Sequence, residues 1–298
     1  MASFTSKILF CSMMVLVLLL SSCMNQGADS IRNYRTGMVE PTITFMRDMP
    51  PAEIPTNTNM QIGIEVHNRG GYDIQNGYLS INFDGDYFNA NQRSSTVNLE
   101  GRNQFNPQGE SRPFFFQGTT LDLEAQSLSK TIPVIASFCY PYTTVLEDNV
   151  CIDFSFDTGR EQGRPVCTPS DLRYSGQGAP VGVRSIGYTV GDDNGEVTLY
   201  FSFEVQSRGL VVRPENFRAP CTSAQSTGLN RALFSASLSD HPLNCVDEIN
   251  LRDGSATVRC ETTHRIESQW LPYEAPLRVE ISYGHMVSKS TSFEIKAR

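Results

Sequence analysis

The segment IGIEVHNRG at 62–70 returns as FSFEVQSRG at 201–209, an offset of 139 that also relates Pro41 to Pro180. A second pair, PVIASFCY at 133–140 and PLRVEISY at 276–283, lies 143 apart. Two matches at nearly one spacing mean a domain-sized unit used twice, with small loop insertions. Whatever fold one copy adopts, the other must be able to adopt as well.

Within each copy the hydrophobic period is two. Ile62, Ile64 and Val66 alternate with Gln61, Gly63 and Glu65, and Leu79, Ile81 and Phe83 alternate with Ser80 and Asn82. The second copy repeats the pattern in Leu199, Phe201, Phe203 and Val205, in Phe234, Ala236 and Leu238, and in Leu277, Val279, Ile281 and Tyr283. Such alternation buries one face of an antiparallel sheet and wets the other. Turn signals (NRGG, FDGD, DNGE, RDGS) separate the runs. The expectation is an all-β chain of two tandem immunoglobulin-like β-sandwiches, at 38–160 and 179–298, joined by a connector at 161–178.

The amino end carries an apolar run from Ile8 to Leu20 behind Lys7. It is shorter than the ~20 residues a spanning helix needs and has the layout of a secretory signal. Leu20-Ser21-Ser22-Cys23 resembles the lipobox of prokaryotic lipoproteins. That resemblance implies that residues 1–22 are removed as a signal peptide, that Cys23 carries lipid, and that residues 23–37 form a lipidated, flexible stalk. Across the chain, 24 Lys and Arg face 32 Asp and Glu, a net charge of −8. With no basic cluster to offset it, this charge repels a phosphate backbone, so nucleic acid is not an expected partner.

The entry PTITFMRDMPPAEIPTNTNMQIGIEVHNRGG resembles the start of CARDB-type, immunoglobulin-like domains of archaeal and bacterial surface proteins. SGQGAPVGV, at 175–183, is similar to the connector that opens a second such domain. Ser207 stands where the first copy has Asn68. The resemblance rests on turn and strand-end motifs and implies an envelope location rather than a particular chemistry.

Setting aside Cys11 and Cys23, six cysteines remain: Cys139, Cys151, Cys167, Cys221, Cys245 and Cys260. An even set in an exported chain reads as disulfides. Three fall on each side of residue 178, so if all pair, at least one bridge crosses between the copies. Cys139 and Cys151, out of phase with their inward neighbours, are expected to face each other on consecutive strands. Cys245 and Cys260 flank the Asp253-Gly254 turn, which leaves Cys167 for Cys221; Cys151 with Cys167 is the alternative.

No motif for catalysis emerges. His67, His241, His264 and His285 are scattered, and neither a GxSxG elbow nor a phosphate-binding loop is present. Asp84 and Asp86, and the cluster Asp192, Asp193, Asn194 and Glu196, could offer oxygens to calcium, but neither has EF-hand spacing and both read as solvated turns. No metal or cofactor is implied. The aromatics Phe114, Phe115, Phe116, Tyr140, Tyr142 and Trp270 are candidates for a solvent-facing binding strip. The functional expectation is a lipid-anchored cell-surface interaction or envelope-structural protein without catalysis. It would be tethered to the membrane through Cys23 and meet an envelope protein or a surface glycan; the alternative is a carbohydrate-binding or adhesion module using those aromatics.

Overall fold

The computed structural model describes residues 34–153, 167–193, 196–222, 227–262, 266–267 and 273–298. Trp270, Cys23, His264 and Asn194 lie outside them, as does most of the expected signal and stalk. The first half supplies β1 (Gly37–Met38), β2 (Thr42–Phe45), β3 (Glu53–Pro55), β4 (Asn59–His67), β5 (Ile74–Phe83), β6 (Phe88–Ala90), β7 (Ser94–Leu99), β8 (Ser111–Thr120) and β9 (Ser129–Ile152). Then follow β10 (Leu172–Arg173), β11 (Gln177–Ala179), β12 (Val181–Asp193), β13 (Glu196–Ser207) and β14 (Leu210–Val212). The chain closes with β15 (Arg231–Leu238), β16 (His241–Asn244), β17 (Glu248–Asn250), β18 (Ser255–Thr262), β19 (Ile266–Glu267) and β20 (Tyr273–Lys296). Two short 3-10 turns, Pro214–Asn216 and Ala219–Cys221, lie between β14 and β15.

The alternation predicts the buried faces correctly. Ile62, Ile64 and Val66 in β4 are fully buried, as are Leu199, Phe203 and Val205 in β13, while Glu65 and Ser202 face solvent. In the first half the sheet β2-β4-β8-β6 packs on a larger sheet that includes β5, β9 and β20. Phe88 on β6 inserts between Phe83 and Phe293, with ring centroids 4.9 and 5.9 Å away. In the second half the strands β10-β12-β13-β18 pack over β15 and β20, with Phe203 and Phe234 meeting at 5.4 Å.

The two halves are interlocked rather than strung on a connector. β9 and β20, each 24 residues long, pair antiparallel along their whole length, from Tyr273↔Ile152 to Lys296↔Ser129. β5 lies beside the first part of β9, and β15 beside the first part of β20. Each half therefore completes its sheet with the far end of the other's long strand. The 143 offset equates Tyr140 with Tyr283 and Tyr142 with His285, so the pair Tyr140↔His285 maps onto Tyr283↔Tyr142. A pseudo-twofold axis thus passes through the ribbon at Pro141↔Gly284.

The first described residues are held at the junction of the halves. Gly71 N–H donates to Gly178 O at 2.8 Å, β1 pairs with β11, and Arg102 donates to Tyr34 O at 3.0 Å. A Cβ on Gly71 or on Gly178 would stand 2.7 Å from Tyr34 O, so the NRGG and SGQG glycines make room for the entering chain. Residues 34–38 are consequently docked, where a flexible stalk to residue 37 was expected.

The cysteines pair as Cys139–Cys221, Cys151–Cys167 and Cys245–Cys260. Three such bridges belong to an oxidising compartment. The Cys245–Cys260 bridge is the one expected. Cys139 and Cys151 cannot meet, because the chain does not turn between them: both lie on the unbroken β9, ~40 Å apart at the usual rise per strand residue. Cys139 points away from the core yet is fully buried, covered by the segment that carries Cys221. It is Cys139–Cys221, not a Cys167–Cys221 bond, that joins the first half to the second. Cys167 takes the alternative partner, Cys151.

Candidate functional site

Two of the expected binding aromatics lie at the molecular centre. Tyr140 and Tyr142 are 0% and 4% exposed, because the inward phase of β9 continues straight through Pro141. They pack with Tyr283 and His285 around the pseudo-dyad, at centroid distances of 5.5 Å for Tyr140–Tyr142 and Tyr140–His285 and 6.2 Å for Tyr142–Tyr283. Each polar atom is partnered. Tyr142 Oη donates to Tyr72 O (3.0 Å) and accepts Tyr72 N–H (3.2 Å). Tyr283 Oη accepts Val181 N–H (3.3 Å) and bonds Thr144 Oγ1 (3.0 Å). His285 Nε2 donates to Arg208 O (2.8 Å), which leaves Nδ1 to accept from Tyr140 Oη (3.0 Å). Burial drives the Tyr140, Tyr142 and Tyr283 hydroxyls well above the ordinary phenol range. This cluster is a joint between halves, closed to a ligand.

His285 makes the joint acid-sensitive. Burial pulls its pKa from 6.5 down to about 4, with the bond to Arg208 O a smaller opposing effect. Because the folded state resists the proton that the unfolded chain accepts, stability is intact above pH 6.5 and falls as pH drops towards 4. The charged neighbours are Glu40 and Arg208. Burial raises the Glu40 carboxyl and Arg208 opposes that rise, so Glu40 works in the other sense over the window just above its ordinary value. Urea unfolding at pH 7 and pH 4 is expected to show the native chain losing about 3 kcal/mol more than a His285→Gln variant.

The remaining expected aromatics do not form a strip. Phe116 is buried, Phe114 packs partly against the core, and Phe115 faces the opposite way at 41% exposure. Asp84 Oδ1 accepts the Asp86 N–H at 3.1 Å, which is a turn closing on itself. Among the described residues no group of three His, Cys, Asp or Glu side chains is gathered to hold a metal ion.

The feature that offers itself to a ligand is a groove of about 800 Å3 across the outer face of the second half. Its floor is two ranks of cross-strand neighbours: Gly187, Ser202 and Arg259, then Thr189, Tyr200, Glu261 and Asn244. These occupy the outward phase of β12, β13, β18 and β16, opposite to buried Phe201, Val258 and Cys260. Asp171 and exposed Val246 stand at its two sides. Extending the register Asn244↔Glu261 by one residue sets Cys245 opposite Cys260 in the inward phase, so the bridge ties the chain before Val246 to β18 from the core side.

The Tyr200 ring is 47% exposed, and a Cβ on Gly191 would meet its Cε2 at 2.8 Å. Glycine there lets the ring lie down against the sheet. Asn244 Nδ2 donates to Glu261 Oε1 at 2.9 Å, whereas the Arg259 and Asp171 side chains have no hydrogen-bond or ion-pair partner among the described residues. None of these residues was singled out from the sequence. The available signal was Tyr200 itself, an aromatic in the outward phase of a strand whose inward phase is Leu199 and Phe201.

At the corresponding position of the first half the strand is covered. The 139 offset equates Tyr200 with Gln61 and Ser202 with Gly63, and Gly63 pairs with Phe115 as Ser202 pairs with Arg259. There the turn at 46–49 folds over the strand: Met46 N–H donates to Gly63 O (2.9 Å) and Gly63 N–H to Met49 O (3.2 Å). Both methionine sulfurs stand 3.0 Å from the Cβ position of Gly63.

A second cavity, of about 570 Å3, lies between Arg35–Thr36, the Val145–Asp148 stretch of β9 and residues 173–177. Its Tyr174 hydroxyl already donates to Asp148 Oδ2 at 2.9 Å. No helix among the described residues is long and apolar enough to cross a membrane.

No protein-family model and no curated protein matches the chain. Among solved structures it is similar to a red sea bream transglutaminase at 12% identity and a TM-score of 0.20, covering 89% of this chain and 32% of that one. The chain thus spans about a third of that structure, and a likeness at this score assigns neither fold nor activity.

Proposed function

We propose that the chain is a lipid-anchored cell-surface binding protein without catalysis, built from two interlocked immunoglobulin-like sandwiches of the CARDB type and tethered through Cys23. The observation that carries this reading is the groove at Tyr200 and Arg259: an open, side-chain-lined surface on a body stiffened by three disulfides and two shared strands. Sites on paired strands hold their groups at low entropic cost. The oxidising compartment implied by the bridges agrees with export, and the docking of residues 34–38 across both halves suits a tether that carries the body as one unit.

The test is made in intact native cells carrying the full chain beside a Cys23→Ala control. The native chain is expected to sediment with the envelope and the control to be released into the medium. A photo-crosslinker at Thr189, on the groove floor, should capture an envelope component, and one at Glu65, on the solvent-facing side of β4, should not. Equal release of both chains would remove the anchor from this reading, and equal capture at the two positions would remove the groove.

A further inference from the structure

We infer that the groove binds a short, neutral carbohydrate chain, with Tyr200 as the stacking platform and Arg259 and Asp171 as hydrogen-bonding arms. This deepens the reading of the protein as a surface binder and rests on it. The first argument concerns what the floor can offer. Across the groove floor β12, β13, β18 and β16 bond to one another in the plane of the sheet, so a ligand lying over this face meets side chains. A peptide recognised as an added strand lies beside a sheet edge, not over its face. Recognition here has to come from side chains.

Those side chains suit polyhydroxylated rings. Each sugar hydroxyl both donates and accepts, so a ligand rich in them satisfies a guanidinium and a carboxylate in one site. Arg259 supplies donors and Asp171 acceptors, and neither is engaged by another described side chain. Glu261 is held in place by Asn244. Two carboxylates against one guanidinium, on a chain of net charge −8, disfavour an anionic polymer. The ligand class is therefore uncharged.

The apolar component has the matching form. Tyr200 leans over Gly191, whose missing side chain makes room for the ring, and it keeps 47% of its surface exposed for stacking on the C–H face of a sugar. Gly187 leaves the floor low in the neighbouring rank, where a Cβ would come within 3.0 Å of Asp171 Oδ1. A volume of about 800 Å3 has room for a short oligosaccharide.

The experiment uses the full chain in detergent, titrated by calorimetry with neutral tetrasaccharides of α- and β-linked glucose, β-linked mannose and β-linked N-acetylglucosamine, and with a galacturonic acid trimer as the anionic probe. At least one neutral probe is expected to bind with Kd of about 10 µM to 1 mM. Tyr200→Ala should weaken that binding by about tenfold or more and Arg259→Ala by about fivefold, while Tyr200→Phe, which keeps the ring, stays within about twofold of the native chain. A thermal unfolding curve unchanged by each substitution shows that the body is intact, as expected for outward side chains. Binding of no neutral probe, binding indifferent to Tyr200→Ala, or preference for the galacturonic acid trimer would each overturn the carbohydrate assignment. Capture of an envelope protein at Thr189 with no saccharide binding would overturn this inference alone, whereas equal capture at Thr189 and Glu65 would overturn the broader reading.

Discussion

Expressed alone, residues 179–298 are expected to remain unfolded as a monomer. The second half needs the far end of β9 beside the first part of β20, and that strand comes from the first half. Cutting it away removes buried Tyr142, Leu146, Val150 and Ile152 from the core. At about 2 kcal/mol for each large apolar side chain, the loss is about 8 kcal/mol, comparable with the whole stability of a domain. It also bares β20 as a long, apolar edge, which invites aggregation. Far- and near-ultraviolet circular dichroism should show little fixed structure, and adding the complementary fragment 1–178 should restore it. A monomeric 179–298 with a cooperative unfolding transition would show that the shared strand is dispensable.

The second large effect belongs to the Cys139–Cys221 bridge. It closes a segment with a sequence separation of 82, against 16 for Cys151–Cys167 and 15 for Cys245–Cys260. Loop-closure entropy gives the long bridge about 4 kcal/mol and each short one about 3 kcal/mol. Its surroundings add to the difference. Cys139 is fully buried, Ser80 Oγ donates to Cys221 O at 3.0 Å, and Phe217 covers Gly284 at the pseudo-dyad so closely that a Cβ there would meet Phe217 Cβ at 2.6 Å. Releasing Cys221 loosens this whole covering strap. The double variant Cys139→Ala/Cys221→Ala should therefore lower the unfolding temperature more than Cys151→Ala/Cys167→Ala, as differential scanning calorimetry would show. An equal or smaller drop would mean that the strap holds without its covalent bond.

Much of the architecture is legible in the residues. The period of two in Ile62–Val66, Leu199–Val205 and Leu277–Tyr283 identifies both the strands and their inward faces, since burial selects every second residue. The repeat offsets, 139 and 143, identify the duplication. What alternation cannot convey is how far a strand runs. Placing Cys139 and Cys151 on consecutive strands supposes a turn between them, yet the even-numbered positions of β9 keep the inward phase from Ile132 to Ile152. From that supposed turn follows the wrong partner for Cys139, while Tyr140 and Tyr142 continue the inward phase of Val134, Ala136 and Phe138. The groove was legible only in hindsight of the pairing. Tyr200, Arg259 and Asp171 are far apart in the chain, and no local spacing announces that β13, β18 and the segment leading into β10 bring them together.

The pseudo-dyad bears on how such a chain can change. Two identical copies that exchanged their last strands would meet through an isologous contact like the one between β9 and β20, and every substitution would be felt twice, once on each side. In one polypeptide that coupling is broken. The residues at the axis still answer to both halves, which is why a tyrosine on one side can face a histidine on the other only if both are satisfied. Away from the axis each copy is free to drift: Met46 and Met49 lie over Gly63 on one outer face, while Gly187, Gly191 and Tyr200 leave the other open. Duplication within a chain has turned a symmetric frame into an asymmetric one, with methionines lying over a strand on one outer face and a groove left open on the other.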